Sequence, residues 1–315
     1  MAEQSTVVIE EPAAPAASLA AGLLRTARPR QWIKNGLVLA APFAAAKLLT
    51  AAETIRLGVV FVLFTACSAA VYLINDARDA EADRAHPVKR NRPVAAGHVP
   101  VAAAYAAGAV LAVLAPAAAA VTCTPDTAVL LAGYVLMQLA YCVWLKHLLV
   151  IDLVIVTAGF LLRSMAGGIA LGIAVSRWFL VTAGFGALFM VAAKRYSELV
   201  LMTRRPRGPG APLGASRALL GSYTPGYLRF VWQLAAGVAV LAYCLWAMET
   251  GAEPHGWLPW RQLSMVPFTL AVLRYAVFAD SGSAGEPEDL VLRDSALVAI
   301  GLVWGALYVL AVADT

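Results

Sequence analysis

Nine apolar stretches, near residues 32–50, 56–75, 99–121, 126–145, 148–172, 177–201, 228–248, 259–279 and 293–313, alternate with polar connections along the chain. Each approaches or exceeds the roughly 20 apolar residues that cross a hydrocarbon core about 30 Å thick. Inside lipid the backbone must bond to itself, so these stretches are expected as helices. The alternation of apolar and polar positions that marks a membrane barrel is missing. The pattern predicts an all-α, multi-pass membrane protein: a nine-transmembrane-helix bundle forming one domain over 25–315. Residues 1–24 are Ala-rich, with acids at Glu3, Glu10 and Glu11. They lack the cationic start of a signal peptide and read as a disordered cytoplasmic tail.

Composition agrees. The chain is 61% hydrophobic and 14% charged, whereas a globular domain is nearer half apolar and a quarter charged. The charge that remains is one-sided. With nine spans and the N-terminus inside, only Lys47, Arg56, Arg177 and Arg261 fall outside and Arg163 within a span; every other cation is cytoplasmic. That asymmetry sets the expected orientation in the plasma membrane. The net charge of +5 is therefore a matter of topology, and no basic patch with interleaved aromatics suggests a nucleic-acid partner. Four cysteines and four histidines are scattered without metal-ligand spacing, which gives no zinc site.

The loop after the second span reads "NDARDAEADRAHPVKRNRP". Asn75, Asp79 and Asp83 are four apart and Asp76 is three before Asp79, so a continuing helix points all four toward one face. Clustered carboxylates repel unless neutralised. A hard divalent cation is the natural counter-ion, and Mg²⁺ bound by one or two carboxylates borrows further oxygens from water and substrate phosphate. His86, Lys89, Arg90 and Arg92 follow closely enough to take the other phosphate oxygens. The competing reading is a solvated loop whose acids pair with Arg78, Arg84 and Lys89.

"NDARDAEAD" resembles the NDxxDxxxD motif of the UbiA superfamily of intramembrane prenyltransferases, and "HPVKRNRPVAAG" resembles the segment that follows it there. The likeness extends through "RPRQWIKN", "AYCVWLKH", "GFLLRSMAGG", "AAKRYSEL" and "GEPEDLVLRD". It implies a UbiA-like bundle with a cytoplasm-facing active site. Where typical members carry a second Asp-rich motif, this chain has Lys194, Arg195, Tyr196 and Glu198. Extra cations there suit a donor with a further phosphate. The resemblance is thus narrowest to the branch that moves phosphoribosyl from phosphoribosyl pyrophosphate to a polyprenyl (decaprenyl) phosphate, for supply of cell-wall arabinan.

By that resemblance Asn75, Asp76, Asp79 and Asp83 would hold Mg²⁺ and the donor pyrophosphate, while Lys89, Arg90 and Arg92 clamp phosphate. Arg30, Gln31, Lys34 and Asn35 start the first span at the depth of the motif, as substrate contacts or as anchors. Tyr141 and Lys146 close the fourth span; Lys194, Tyr196 and Glu198 lie at the end of the sixth, as contacts for phosphate or ribose. Arg163 is a mid-span cation, expected to pair with Asp152 or a backbone carbonyl. Glu286, Glu288 and Asp289 form either a gate or a solvated loop. A prenyltransferase acting on an aromatic acceptor is the rival enzyme. A phosphorylated-solute transporter is a further alternative, though the motif has no repeat in a second half. The lipid bilayer is the expected environment, and a homo-oligomer stays open.

Overall fold

The structure, a computed structural model, describes residues 18–204, 215–249 and 258–313; most of the expected tail and the 205–214 insertion lie outside them. The helices are α1 (Leu19–Thr26), α2 (Ala40–Ala44), α3 (Ala51–Arg78), α4 (Ala80–Arg84), α5 (Val101–Thr122), α6 (Pro125–Val143), α7 (Ile151–Ala170) and α8 (Arg177–Arg204). They continue as α9 (Ala215–Ser222), α10 (Pro225–Glu249), α11 (Trp260–Leu263), α12 (Met265–Ser281), α13 (Pro287–Arg293) and α14 (Ser295–Ala313). Residues 18–24 of the expected tail are not disordered: Ser18 caps α1 by accepting from the Ala21 N–H.

Among the described residues eight helical stretches are long and apolar enough to cross a membrane, α11 and α12 together making one. The sequence reading expected nine. The difference lies at 32–50, where Pro29–Leu39 winds as a 3₁₀ helix followed by the single turn of α2. Pro42, inside α2, has no N–H to return to the Val38 carbonyl. The Val38 carbonyl packs on α7 at Gly167, where an added Cβ would clash with its oxygen. A 3₁₀ helix rises about 2 Å per residue and an α-helix about 1.5 Å, so 29–44 still extends on the order of 30 Å. Its first end meets Asp76 through Arg28, and its last stacks Phe43 on Tyr308 at 4.4 Å. It runs the depth of the bundle without being a standard spanning helix.

The other elements begin where local chemistry starts them. Thr50 and Glu53 form a reciprocal capping box at the start of α3, and Thr124 caps α6 ahead of Pro125. Of the buried apolar clusters among the described residues, the two largest share α7. One gathers Phe64, Leu131 and Tyr134 between α3, α6 and α7; the other gathers Phe189, Trp232 and Tyr275 between α8, α10 and α12. The outer faces stay apolar and exposed, as at Val110, Val113 and Leu114 on α5 and Leu302 and Val303 on α14, the arrangement a lipid environment allows.

Candidate active site

α3 stops at Arg78, and Asp79 leaves helical geometry before α4 resumes at Ala80. The bonds from Asp79 N to Asn75 O (2.9 Å) and Asp83 N to Asp79 O (2.8 Å) carry the turn across this break. Asn75, Asp79 and Asp83 therefore stay on one face, and all three line a cavity of about 600 Å³ at this end of the bundle. Asp76 does not join them. Asp76 is 2% exposed beneath the guanidinium groups of Arg28 and Arg92, the second of which it shares with Asp83, and it is absent from the cavity lining. The expectation of four oxygen groups on one face is corrected to three.

The carboxylates are neutralised by cations from distant parts of the chain. Arg28 donates to Asp76 Oδ1 at 2.7 Å and lies over the Tyr72 ring. Arg92 bridges Asp76 Oδ1 (3.1 Å) and Asp83 Oδ2 (2.7 Å), with Lys89 Nζ 3.9 Å from Asp83. Lys146 binds both oxygens of Asp79 at 3.0 and 3.1 Å. His86 Nδ1 accepts from the Val88 and Lys89 N–H groups and shapes the loop that carries Lys89.

The facing wall comes from α6, α7, α8 and Tyr223. Tyr141 donates to Asp152 Oδ1 at 2.6 Å, and Arg195 reaches the same oxygen at 3.2 Å while also bonding Glu198. The Tyr223 hydroxyl accepts from the Val150 N–H at 2.8 Å; burial pushes this phenol above its ordinary pKa, so it remains protonated near neutral pH. Around the cavity, Arg28, Arg78, Lys89, Arg92, Lys146 and Arg195 outnumber Asp79, Asp83 and Asp152. Asp76 and Glu198 pair with Arg28, Arg92 and Arg195 from just outside the lining, and the cations still outnumber the carboxylates, which suits a negatively charged ligand.

The structure divides the residues singled out from sequence. Asn75, Asp79, Asp83, Lys89, Arg92, Tyr141 and Lys146 line the cavity. Arg30 and Arg90 are exposed outside its lining, and Lys34 bonds Gln31 at 3.1 Å away from it. Asn35 is buried deeper, bonded to Thr65 and Arg163. On α8 the lining residue is Arg195; Lys194, Tyr196 and Glu198 sit beside it, with Tyr196 accepting from Arg229. Arg28, Asp152 and Tyr223 are additions that the reading missed. An acid at the start of an apolar helix was the available signal for Asp152. Asp289 pairs with Arg293 and neither it nor Glu286 lines the cavity, which favours the solvated loop; the Glu288 side chain lies outside the described residues.

The UbiA prenyltransferase family model matches residues 36–292. The chain belongs to the UbiA prenyltransferase family. This UbiA-family protein is 48% identical to a decaprenyl-phosphate phosphoribosyltransferase of Mycobacterium tuberculosis, over 92% of this chain and 94% of that one. It is 45% identical to the protein of the same name in Corynebacterium glutamicum, over 95% and 89%. Among solved structures it resembles a UbiA homolog from Archaeoglobus fulgidus bound to GPP and Mg²⁺, with TM-score 0.67 and 17% identity, covering 93% of this chain and 99% of that one. At that identity the likeness is one of fold.

Among the described residues no group of three or more His, Cys, Asp or Glu is gathered at metal-binding distance. Even so, the donor set suits a hard divalent ion. Asn75, Asp79 and Asp83 offer oxygen atoms to one open cavity, and such an ion is commonly held by one or two carboxylates with water and phosphate completing the shell.

Proposed function

We propose that this UbiA-family enzyme transfers the 5-phosphoribosyl group of phosphoribosyl pyrophosphate to decaprenyl phosphate or a similar polyprenyl phosphate, releasing pyrophosphate. The reading rests on the cavity: a lining with more cations than carboxylates where an apolar bundle ends, so a phosphorylated donor and a lipid acceptor meet at one place. Its setting is the plasma membrane, with the N-terminus and the cavity on the cytoplasmic side, a single transmembrane domain over 25–315, and arabinan precursor supply as the destination of the product.

An oxygen of the acceptor phosphate attacks ribose C1 while the C1–O bond to pyrophosphate breaks, and the bonding electrons leave with pyrophosphate. A phosphate monoester is largely dianionic at neutral pH, its second pKa being about 6, so the site needs no strong general base. Attack opposite the leaving group inverts C1 and gives a β-linked product from an α-donor. Catalysis is then positioning and charge stabilisation. Lys89 and Arg92 hold the pyrophosphate, and Lys146 adds a third cation beside Asp79. Asp76 keeps Arg28 and Arg92 in place from below. Asn75, Asp79 and Asp83 would hold Mg²⁺, which would supply neutralisation of the diphosphate charge.

The test offers the purified protein two substrate pairs: ribose-labelled phosphoribosyl pyrophosphate with polyprenyl phosphate, and prenyl diphosphate with an aromatic acid. Label entering the lipid phase from the first pair supports the assignment. Turnover of the second pair alone replaces it with prenyl transfer.

A further inference from the structure

Asp152 is a charge in an unexpected place. A cavity that must attract phosphates gains nothing from a carboxylate on the wall away from the NDxxDxxxD motif, since a phosphate placed against it is repelled. Yet Asp152 is 2% exposed and still lines the cavity. It is also held firmly: Tyr141 (2.6 Å) and Arg195 (3.2 Å) both donate to one oxygen, Oδ1. Among the described residues no partner reaches Oδ2. The backbone just before it is strained, with Val150 at φ 68° and its N–H bound by the Tyr223 hydroxyl. A β-branched residue in that region is strained and persists where the surroundings impose it.

A carboxylate oxygen fixed in direction and open to a cavity is an acceptor for hydroxyl groups. We infer that Asp152, oriented by Tyr141 and Arg195, accepts hydrogen bonds from the ribose hydroxyls of the donor and makes the cavity specific for a phosphorylated sugar over a prenyl diphosphate. The inference rests on the phosphoribosyl reading above. A prenyl chain brings C–H groups to the same wall and leaves Oδ2 desolvated without a donor, the kind of loss by which hydroxyl-binding sites reject analogues. Arg195 serves twice, because the guanidinium that steadies Asp152 also faces the cavity. Asp152 is thus a specificity residue, and the Asp79 and Asp83 wall handles the diphosphate whatever is attached to it.

The experiment is competitive inhibition of the labelled transfer by two fragments of the donor, ribose 5-phosphate and pyrophosphate, in wild type and Asp152→Asn. The amide still accepts from Tyr141 and Arg195 but presents N–H where Oδ2 was. The expected result is roughly 10- to 100-fold weaker inhibition by ribose 5-phosphate, a matching rise in donor KM, and pyrophosphate inhibition within about twofold of wild type. Tyr141→Phe, which removes only the orienting bond, should move ribose 5-phosphate in the same direction by less. Unchanged ribose 5-phosphate inhibition in Asp152→Asn, or an equal weakening of both fragments, overturns the role of Asp152. Wild-type protein that transfers no label overturns the donor assignment itself, which is a separate failure.

Discussion

Two regions of this molecule place guanidinium groups inside an apolar bundle, with opposite results. At the cavity, Arg92 is a quarter exposed and shared between Asp76 and Asp83. In the middle of the bundle, Arg163 is 8% exposed and donates to Asn35 Oδ1 (2.9 Å), the Gly159 carbonyl (2.9 Å) and the Tyr134 hydroxyl (2.6 Å). The Phe64, Tyr134 and Phe160 rings lie around it, and among the described residues it forms no ion pair with a carboxylate. The first cation has charged partners that a ligand can share. The second is saturated by neutral acceptors and aromatic faces in a closed space, which makes it a clasp. Through Asn35 it fastens the 3₁₀ segment to α7, and that segment begins beside Arg28 and the site. An ionisable residue at membrane depth is therefore read by its partners and its openness, more than by its charge.

The comparison can be broken most decisively at the cavity. Asp79→Ala or Asp83→Ala should lower turnover by about 10³-fold while the protein still elutes as a folded species in detergent; near-normal turnover would remove that wall from the chemistry. Next comes the clasp. Arg163→Met should destabilise the protein by about 2–3 kcal/mol, because Asn35 and Tyr134 lose their buried partner. Thermal unfolding reads this, and the surviving folded fraction should keep a near-normal donor KM. A large KM rise with unchanged melting would make Arg163 part of the site.

Smaller effects sharpen the edge of the cavity. Lys146→Ala should weaken donor affinity by roughly 10-fold, as expected for one charge-assisted contact, visible in KM. Smallest are Arg30→Ala, Arg90→Ala and Lys194→Ala, residues outside the cavity lining. Each should change donor KM by less than about twofold, and a tenfold effect at Lys194 would extend the site along α8.

What was legible in the sequence divides along physical lines. Apolar length is a local signal, so eight spans appear where they were expected; the 29–44 segment is as apolar but winds mostly as a 3₁₀ helix, a difference that apolar length does not report. The motif wall was also legible, since Asn75, Asp79 and Asp83 are spaced by helical turns. Their counter-ions were less so. Arg28 and Lys146 meet Asp76 and Asp79 across long stretches of chain, a pairing set by tertiary packing. Of the two partners expected for Arg163, the backbone carbonyl is the one it finds, at Gly159; Asp152, eleven residues away along α7, is separated by about 16 Å of rise, beyond any side-chain contact. Asp152 instead serves the cavity with Tyr141 and Arg195.

The central claim is that the Asp79 and Asp83 wall, with its cations, receives the diphosphate of a phosphoribosyl donor. Calorimetric titration of phosphoribosyl pyrophosphate into the purified full chain, with Mg²⁺ and again after chelation, tests it most directly. Saturable binding that requires Mg²⁺, weakens with salt and disappears in Asp79→Ala is the predicted result. Binding of equal strength without the metal and in Asp79→Ala would contradict it.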